Sequence, residues 1–370
     1  MTELLHTPLH DFHVARGAKL VPFAGWEMPV QYPTGVLAEH NHTRRSASLF
    51  DVSHMGQVLL RSAGRDAALA LETLTPASVA GLHPWRQRYG LFTNDAGGVL
   101  DDFMFANHEQ HLFLVVNAAR TSHDLGILRG LTGVEVEHVT SRALLAVQGP
   151  DAEEQLARLI PEVRELRFMD SRQLDWAGEE VWVSRSGYTG EDGFEVSLPA
   201  ECAIEFAERL LADSVVQPAG LGARDSLRLE AGMPLYGHEL TEQISPSAAA
   251  LDWSIPKVRR PGGSRAGGYP GASAIEQELD AGAPEVRVGL RPEGRAPVRD
   301  GVELFADQEA TQRIGVVTSG GFGPSIGGPI AMAMLPTGFA PGSTIFAQVR
   351  GKLLPVTVTP IPFVTLNYKR

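Results

Sequence analysis

The chain has 370 residues, with 32 Lys+Arg against 44 Asp+Glu, a formal net charge of −12 and 43 % hydrophobic residues. That length suits two or three domains with substantial cores, and the composition excludes a disordered or collagen-like polymer. The acidic balance argues against nonspecific binding to nucleic acid or an anionic membrane, no apolar run reaches the roughly 18 residues of a membrane span, and the lone Cys202 rules out an internal disulfide.

In chain order, Met1-Thr2-Glu3-Leu4-Leu5-His6 has neither a basic n-region nor an apolar h-region, and Glu3 and Asp11 count against a transit peptide. The expectation is a cytoplasmic protein starting near Met1, although a matrix protein stripped of its presequence would read the same. Aromatic and turn residues follow: Phe23-Ala24-Gly25-Trp26, then Pro29-Val30-Gln31-Tyr32-Pro33. A helix is predicted over 35–48, a strand over 57–60 and an Ala/Leu-rich helix over 66–74. Strands over 88–93 and 98–106 flank Asn94-Asp95-Ala96-Gly97-Gly98, a hairpin signal. A strand over 111–117 and a helix over 121–129 come next, then a strand over 143–147 and a helix that Pro150 and Asp151 open. Strands over 180–185 and 194–198 precede helices over 201–211 and 223–230. Short alternating pieces without βαβ spacing predict an α+β fold with antiparallel sheets. After a Gly-rich loop at 261–268, six short strands from residue 284 onward predict a β-barrel or sandwich.

The common phosphate and nucleophile signatures are missing. Gly320-Gly321-Phe322-Gly323-Pro324 reads as a turn, because Pro324 removes an amide donor. His108 and His111 lack metalloprotease spacing, and His40 and His42 fall on different helix faces, so no metal is expected. Asp101-Asp102 lies in an apolar strand, where one carboxyl must face inward and find partners or shift its pKa; alternatively both cap the 94–98 turn. Glu195 follows the Gly-rich 187–193 loop and alternates away from Phe194, Val196 and Leu198, as a site acid or a solvated one. Arg224 sits among apolar helix positions and needs a carboxylate, whereas Asp225 and Arg228 are spaced to pair with each other. Lys257, Arg259, Arg260 and Arg265 form a basic cluster, ordinarily a solvated loop.

Together, Thr7-Pro8-Leu9, Phe23 to Trp26, Pro29 to Tyr32, Phe50-Asp51-Val52-Ser53-His54-Met55, Gly97 to Asp102, Gln148-Gly149-Pro150, Gly187 to Glu195, Gly222 to Gly232, Leu235-Tyr236-Gly237 and Val317 to Gly320 occur in an order that resembles the aminomethyltransferase (T-protein) family of the glycine cleavage system. The resemblance runs from about residue 6 to the C-terminus. It implies three lobes around a central folate channel: a discontinuous α+β lobe over 1–50 and 140–250, an inserted α+β lobe over 51–139, and a linker with a β-barrel over 251–370.

The activity it implies moves the methylene of the aminomethyl group on the lipoyl arm of H-protein to tetrahydrofolate, releasing ammonia and giving 5,10-methylenetetrahydrofolate. Neither a metal nor a flavin is implied. The implied partner is lipoylated H-protein, with functional links to the glycine decarboxylase and dihydrolipoyl dehydrogenase of the system. By motif position, Asp102 is the implied catalytic acid, and Glu195, Arg224, Tyr188 and Tyr368 are implied folate contacts, with Asn117 and Met55 lining the pocket. Phe363-Val364-Thr365-Leu366-Asn367 departs from the family's Phe-Val-Pro-Thr just before Tyr368. A folate-dependent demethylase is the rival enzyme. A non-catalytic folate-binding accessory protein is the other rival, and its Lys-Gly-Cys-Tyr string is replaced here by Ser186-Gly187-Tyr188. Because H-proteins tend to be acidic, the Lys257–Arg265 cluster is the expected docking patch.

Overall fold

Alternation along the strand Val99–Asn107 buries Asp101, Phe103 and Phe105 on one face and turns Asp102 and Met104 to the other. The apolar face packs with Val58, Leu60, Leu114 and Val116, and with Leu71, Leu125 and Leu128 of the helices that cover it. The sheet runs Gln87–Thr93, Val99–Asn107, Leu112–Val116, Gly56–Ser62, Val134–His138, with every pair antiparallel. The computed structural model describes residues 3–64 and 66–370, so the reading of the chain start at Met1 lies outside the described residues.

A second sheet has six strands, in the order Ser171–Trp176, Glu179–Ser184, Gly193–Pro199, Arg142–Gln148, Ala47–Asp51, Val216–Pro218. Its last pair is parallel. Phe194, Val196 and Leu198 are buried in a core shared with Phe206 and Leu210 of the helix Ala203–Leu210. The intervening Glu195 and Ser197 face the five-stranded sheet. There Ser197 Oγ donates to Gln57 Oε1 at 2.6 Å, and Trp182 meets the Phe113 ring edge-on at 4.9 Å. The two sheets therefore meet face to face, with a mixed polar and apolar layer between them.

Six strands, Glu285–Pro292, Gly328–Pro336, Arg313–Gly323, Glu303–Phe305, Thr344–Val349 and Lys352–Thr359, close into a C-terminal barrel around Leu290, Val317, Ala333 and Ile345. The three-lobed α+β architecture with a closed barrel is thus the one expected. Gly320–Gly323 is not a turn but the end of a barrel strand. Its glycine is needed for close approach, because a Cβ on Gly320 would collide with the carbonyl of Val298.

Sequence periodicity misses the hairpin Lys19–Phe23/Trp26–Gln31 and the strands Val134–His138 and Ser171–Trp176. The first pair carries prolines at Pro22 and Pro29 and Ser171–Trp176 is largely polar, whereas Val134–His138 does alternate, Val134 and Val136 against Glu135 and Glu137, and its pattern is legible.

The basic cluster is also corrected. Arg259 is only 4 % exposed. Its guanidinium donates to Glu72 O at 2.7 Å, Thr75 O at 3.1 Å and Arg265 O at 2.6 Å, and pairs with Glu72 Oε2 at 3.4 Å. Arg265 Nε reaches the same carboxylate at 2.9 Å. These arginines clamp the linker to the five-stranded lobe and are not free for docking. Arg259→Met leaves Glu72 buried with a weakened counter-charge. It is expected to lower unfolding free energy by about 3 kcal/mol in urea titrations. An unchanged urea midpoint would return the cluster to the surface.

Candidate active site

The Asn94–Gly98 turn is closed by Asn94, whose Oδ1 accepts from Ala96 N and Gly98 N at 3.0 Å each. The neighbouring carboxyls are therefore not turn caps. Asp102 lies opposite Leu91 on the inter-sheet face, and Asp101 on the opposite, buried face.

Tyr89 donates to Asp102 Oδ2 at 3.0 Å. Asn117 Nδ2 lies 2.7 Å from Asp102 Oδ1 and 2.9 Å from Asp101 Oδ1, and the Asn117 backbone N–H donates to Asp101 Oδ2 at 3.2 Å. Asn117 can take this position because it ends the strand Leu112–Val116 and precedes the helical turn Ala118–Arg120.

Burial and a shared hydrogen bond with the Asp124 carboxyl push Asp101 up to about 9. Burial, then the proximity of Asp101, raise Asp102 to about 7. Burial raises Asp124 to about 6. Three carboxyls in a water-poor site cannot all ionise at neutral pH, so protons are retained among them.

Across the inter-sheet space, the Arg224 guanidinium lies over the Tyr188 ring, 4.9 Å from its centroid. The Tyr188 hydroxyl donates to the carbonyl of Pro234, which fixes the ring. Burial lowers the Arg224 pKa, and the carboxylate that opposes this is Glu195. Arg224 Nη1 is buried without a hydrogen-bond partner among the described residues. Glu195 accepts from Ser186 Oγ at 3.1 Å and lines a small cavity with Gln87, Met104, Val115, Leu144 and Ser184. It is therefore half-buried between the sheets and not solvated. Met55 packs with Val115 against Phe50, Leu144 and Leu227, forming the apolar wall. Beside it His54 is held neutral, lowered to about 4 by burial, with the Arg224 charge adding to the effect.

The structure thus gathers Asp102, Asn117, Tyr188, Glu195, Arg224 and Met55 around the space between the sheets. Tyr368 is placed apart from them. It stacks on Phe168 at 4.3 Å, and its charged neighbours are Arg44, Glu191 and Arg370. The C-terminal tail is held there by Phe168 N donating to Lys369 O at 2.8 Å and by Asn367 N donating to Gly190 O at 2.9 Å.

Sequence reasoning missed Tyr89 and Asp124. Tyr89 shares the Asp102 face through its cross-strand partner Met104, a relation visible once the hairpin register is fixed. Asp124 falls next to Leu125 and one turn from Leu128 on the buried face of its helix, an acid at an apolar helix position.

Two family models match the chain: the GCVT N-terminal domain over residues 9–259 and the glycine cleavage T-protein C-terminal barrel domain over 286–365. The chain is similar to the mitochondrial aminomethyltransferase of Dictyostelium discoideum, 42 % identical over 388 residues, covering 100 % of this chain and 94 % of that protein. It is also similar to a probable mitochondrial aminomethyltransferase of Schizosaccharomyces pombe, 43 % identical over 376 residues, covering 99 % and 95 %. The crystal structure of glycine cleavage system aminomethyltransferase T from Bartonella henselae superposes with a TM-score of 0.92 at 42 % identity, covering 99 % of this chain and 100 % of that one. The expected cytoplasmic placement does not stand: these curated relatives are named mitochondrial.

Proposed function

The chain belongs to the glycine cleavage T-protein family of aminomethyltransferases, and from that premise we propose that it moves the methylene of the aminomethyl group on lipoylated H-protein to tetrahydrofolate, with release of ammonia. Functional coupling to the glycine decarboxylase and dihydrolipoyl dehydrogenase of the system follows from the same reading. The lobe boundaries proposed with it are 1–50 with 140–250, 51–139, and 251–370.

The residues present suit a flat, donor-rich ring. Glu195 offers acceptor oxygens, Arg224 a buried donor with no partner among the described residues, and Met55 an apolar wall. Asn117 and Tyr188 frame the same space, whereas Tyr368, stacked on Phe168 apart from them, is proposed as a separate folate contact. When bound, tetrahydrofolate supplies the nitrogen nucleophile that takes the methylene.

Asp102 carries the chemistry in this reading. Raised to about 7, its carboxyl gains or loses a proton near neutral pH. Tyr89 holds Oδ2 and Asn117 holds Oδ1, so the acid is aimed and cannot rotate away. As an ionised group it stabilises positive charge developing beside it, and it can relay the proton with which the amine leaves. Asp101 and Asp124 stand behind it as a proton-sharing pair that sets its affinity for the proton. The observation that supports this reading most is that carboxyl, aimed by Tyr89 and Asn117 and within electrostatic reach of Tyr188, whose ring carries Arg224.

The test is ammonia release from aminomethylated H-protein with and without tetrahydrofolate. Folate-dependent release is expected, and release that ignores folate sinks the proposal. Glu195→Gln is expected to raise the Kd for tetrahydrofolate about 10- to 100-fold and to change kcat at saturation much less. The group it holds is the same in ground and transition states, and a charge-assisted bond contributes roughly 1.5–3 kcal/mol. Titration calorimetry that finds unchanged affinity would remove Glu195 from the site.

A further inference from the structure

Two imidazoles and a carboxylate converge at the N-terminal segment, in a group that the reaction does not use. His6 belongs to the extended stretch before the helix His10–Ala15, His10 opens that helix, and Glu27 lies on the strand Trp26–Gln31. Backbone bonds fix their relation: Leu5 N donates to Gly25 O and Glu27 N to Leu5 O, each at 2.9 Å. Glu27 Oε2 is 3.4 Å from His6 Nε2 and 2.8 Å from His10 Nε2. The two rings stack at 3.7 Å with their planes 3° apart. One ligand atom from each of the three residues lies within 4.8 Å of the others.

We propose that His6, His10 and Glu27 bind a divalent transition metal of the zinc class. Ligands at about 2.0–2.1 Å from such an ion lie roughly 3.4 Å apart at tetrahedral angles and about 2.9 Å apart at right angles. The two separations to Glu27 fall at these values; the stacked rings must tilt out of parallel for both Nε2 lone pairs, which lie in the ring planes, to meet one ion. Two imidazole nitrogens with one carboxylate select zinc, cobalt, nickel or copper over magnesium or calcium, which prefer all-oxygen sites. Asp11 strengthens the case: its Oδ1 lies 3.3 Å from His10 Nδ1. A carboxylate there keeps the proton on Nδ1 and leaves the Nε2 lone pair for the ion, as metal-binding histidines require.

The competing occupant of the same geometry is a proton, which would make His10 and Glu27 an imidazolium–carboxylate pair. A metal would tie the N-terminal segment to the strand at Glu27. The adjacent Thr7 donates to the buried Asp51 at 2.6 Å, three residues before His54 in the wall of the active site. The ion is therefore a structural staple outside the reaction, and its loss should leave the catalytic carboxyls in place.

The test uses the full chain without an affinity tag, stripped of metal, with Co²⁺ as the spectroscopic probe. Expected is a visible d–d absorption that saturates at one equivalent, is displaced by Zn²⁺, and accompanies a rise of a few degrees in the thermal midpoint. His6→Ala and Glu27→Gln should each weaken Co²⁺ binding at least tenfold while leaving the metal-free midpoint within about 1 °C, since His6 is exposed. Asp11→Asn should weaken it by about tenfold. Failure of the unaltered chain to give the band, or a band in both His6→Ala and Glu27→Gln as strong as in the unaltered chain, would overturn the site and leave the proton as its occupant.

Discussion

Asp102→Asn is expected to lower turnover by on the order of 10²-fold or more while leaving tetrahydrofolate affinity within about twofold. The amide keeps the contacts to Tyr89 and Asn117 in shape but can neither carry a negative charge nor relay a proton. Asp101→Asn should cost far less, because Asp101 is raised to about 9 and is neutral at working pH, a state the amide imitates. If a steady-state ammonia assay gives the reverse order of severities, Asp102 is not the catalytic acid.

The same substitution has a stability signature with a definite sign. The folded-state pKa of Asp102 lies above its ordinary carboxylate value, so its contribution favours the fold below about pH 4. That contribution is lost as pH rises through about 7. Asp102→Asn should therefore raise the thermal midpoint at pH 8 by a few degrees and leave it unchanged about two pH units below the ordinary carboxylate value, where the carboxyl is protonated in both states. Turnover should follow the opposite course in the parent enzyme, with an acid limb near pH 7 as Asp102 ionises. A parallel rise in stability and activity across that range would contradict this assignment.

Legibility in the sequence followed the physics of each element. Phe194, Val196 and Leu198 announced a strand and its buried face because alternation is a local property, and Glu195 was recognisable as the residue that leaves that face. What lay opposite Glu195 was not readable, since sheet-on-sheet contact depends on pairings between residues far apart in the chain. The same limit hid Tyr89, whose meaning comes from lying opposite Met104 in the hairpin. It also hid the clamp of Arg259 on Glu72, a contact spanning 187 residues that turned a basic surface loop into a buried ion pair. Asp101-Asp102 was legible as a pair with opposite faces, but which of the two keeps its proton depended on Asp124, a residue of a different element. The N-terminal His6–His10–Glu27 group was invisible for the opposite reason: the residues are close in sequence, but their convergence needs a hairpin whose prolines mask it.

Arg224→Leu is the second large effect, and it should fall on binding. The guanidinium is held over Tyr188 with one nitrogen that finds no protein partner among the described residues, an arrangement that costs free energy in the unliganded protein. Such a donor is retained where a ligand completes it. Removing it also leaves Glu195 facing the cavity without its cation, so the acceptor is weakened together with the donor. Loss of a desolvated charge pair of this kind costs about 2–5 kcal/mol, so the Kd for tetrahydrofolate should rise at least about 100-fold. The thermal midpoint of the free protein should hold or increase. Arg224→Lys should recover part of the affinity through charge but not the flat stacking on Tyr188. The decisive measurement is a double-mutant cycle with Glu195→Gln, read by calorimetry. The two substitutions should lose much less together than the sum of their separate losses, because each already disables the other's contact. Strict additivity would mean that Arg224 and Glu195 act on separate parts of the ligand, and their electrostatic coupling would have no role in recognition.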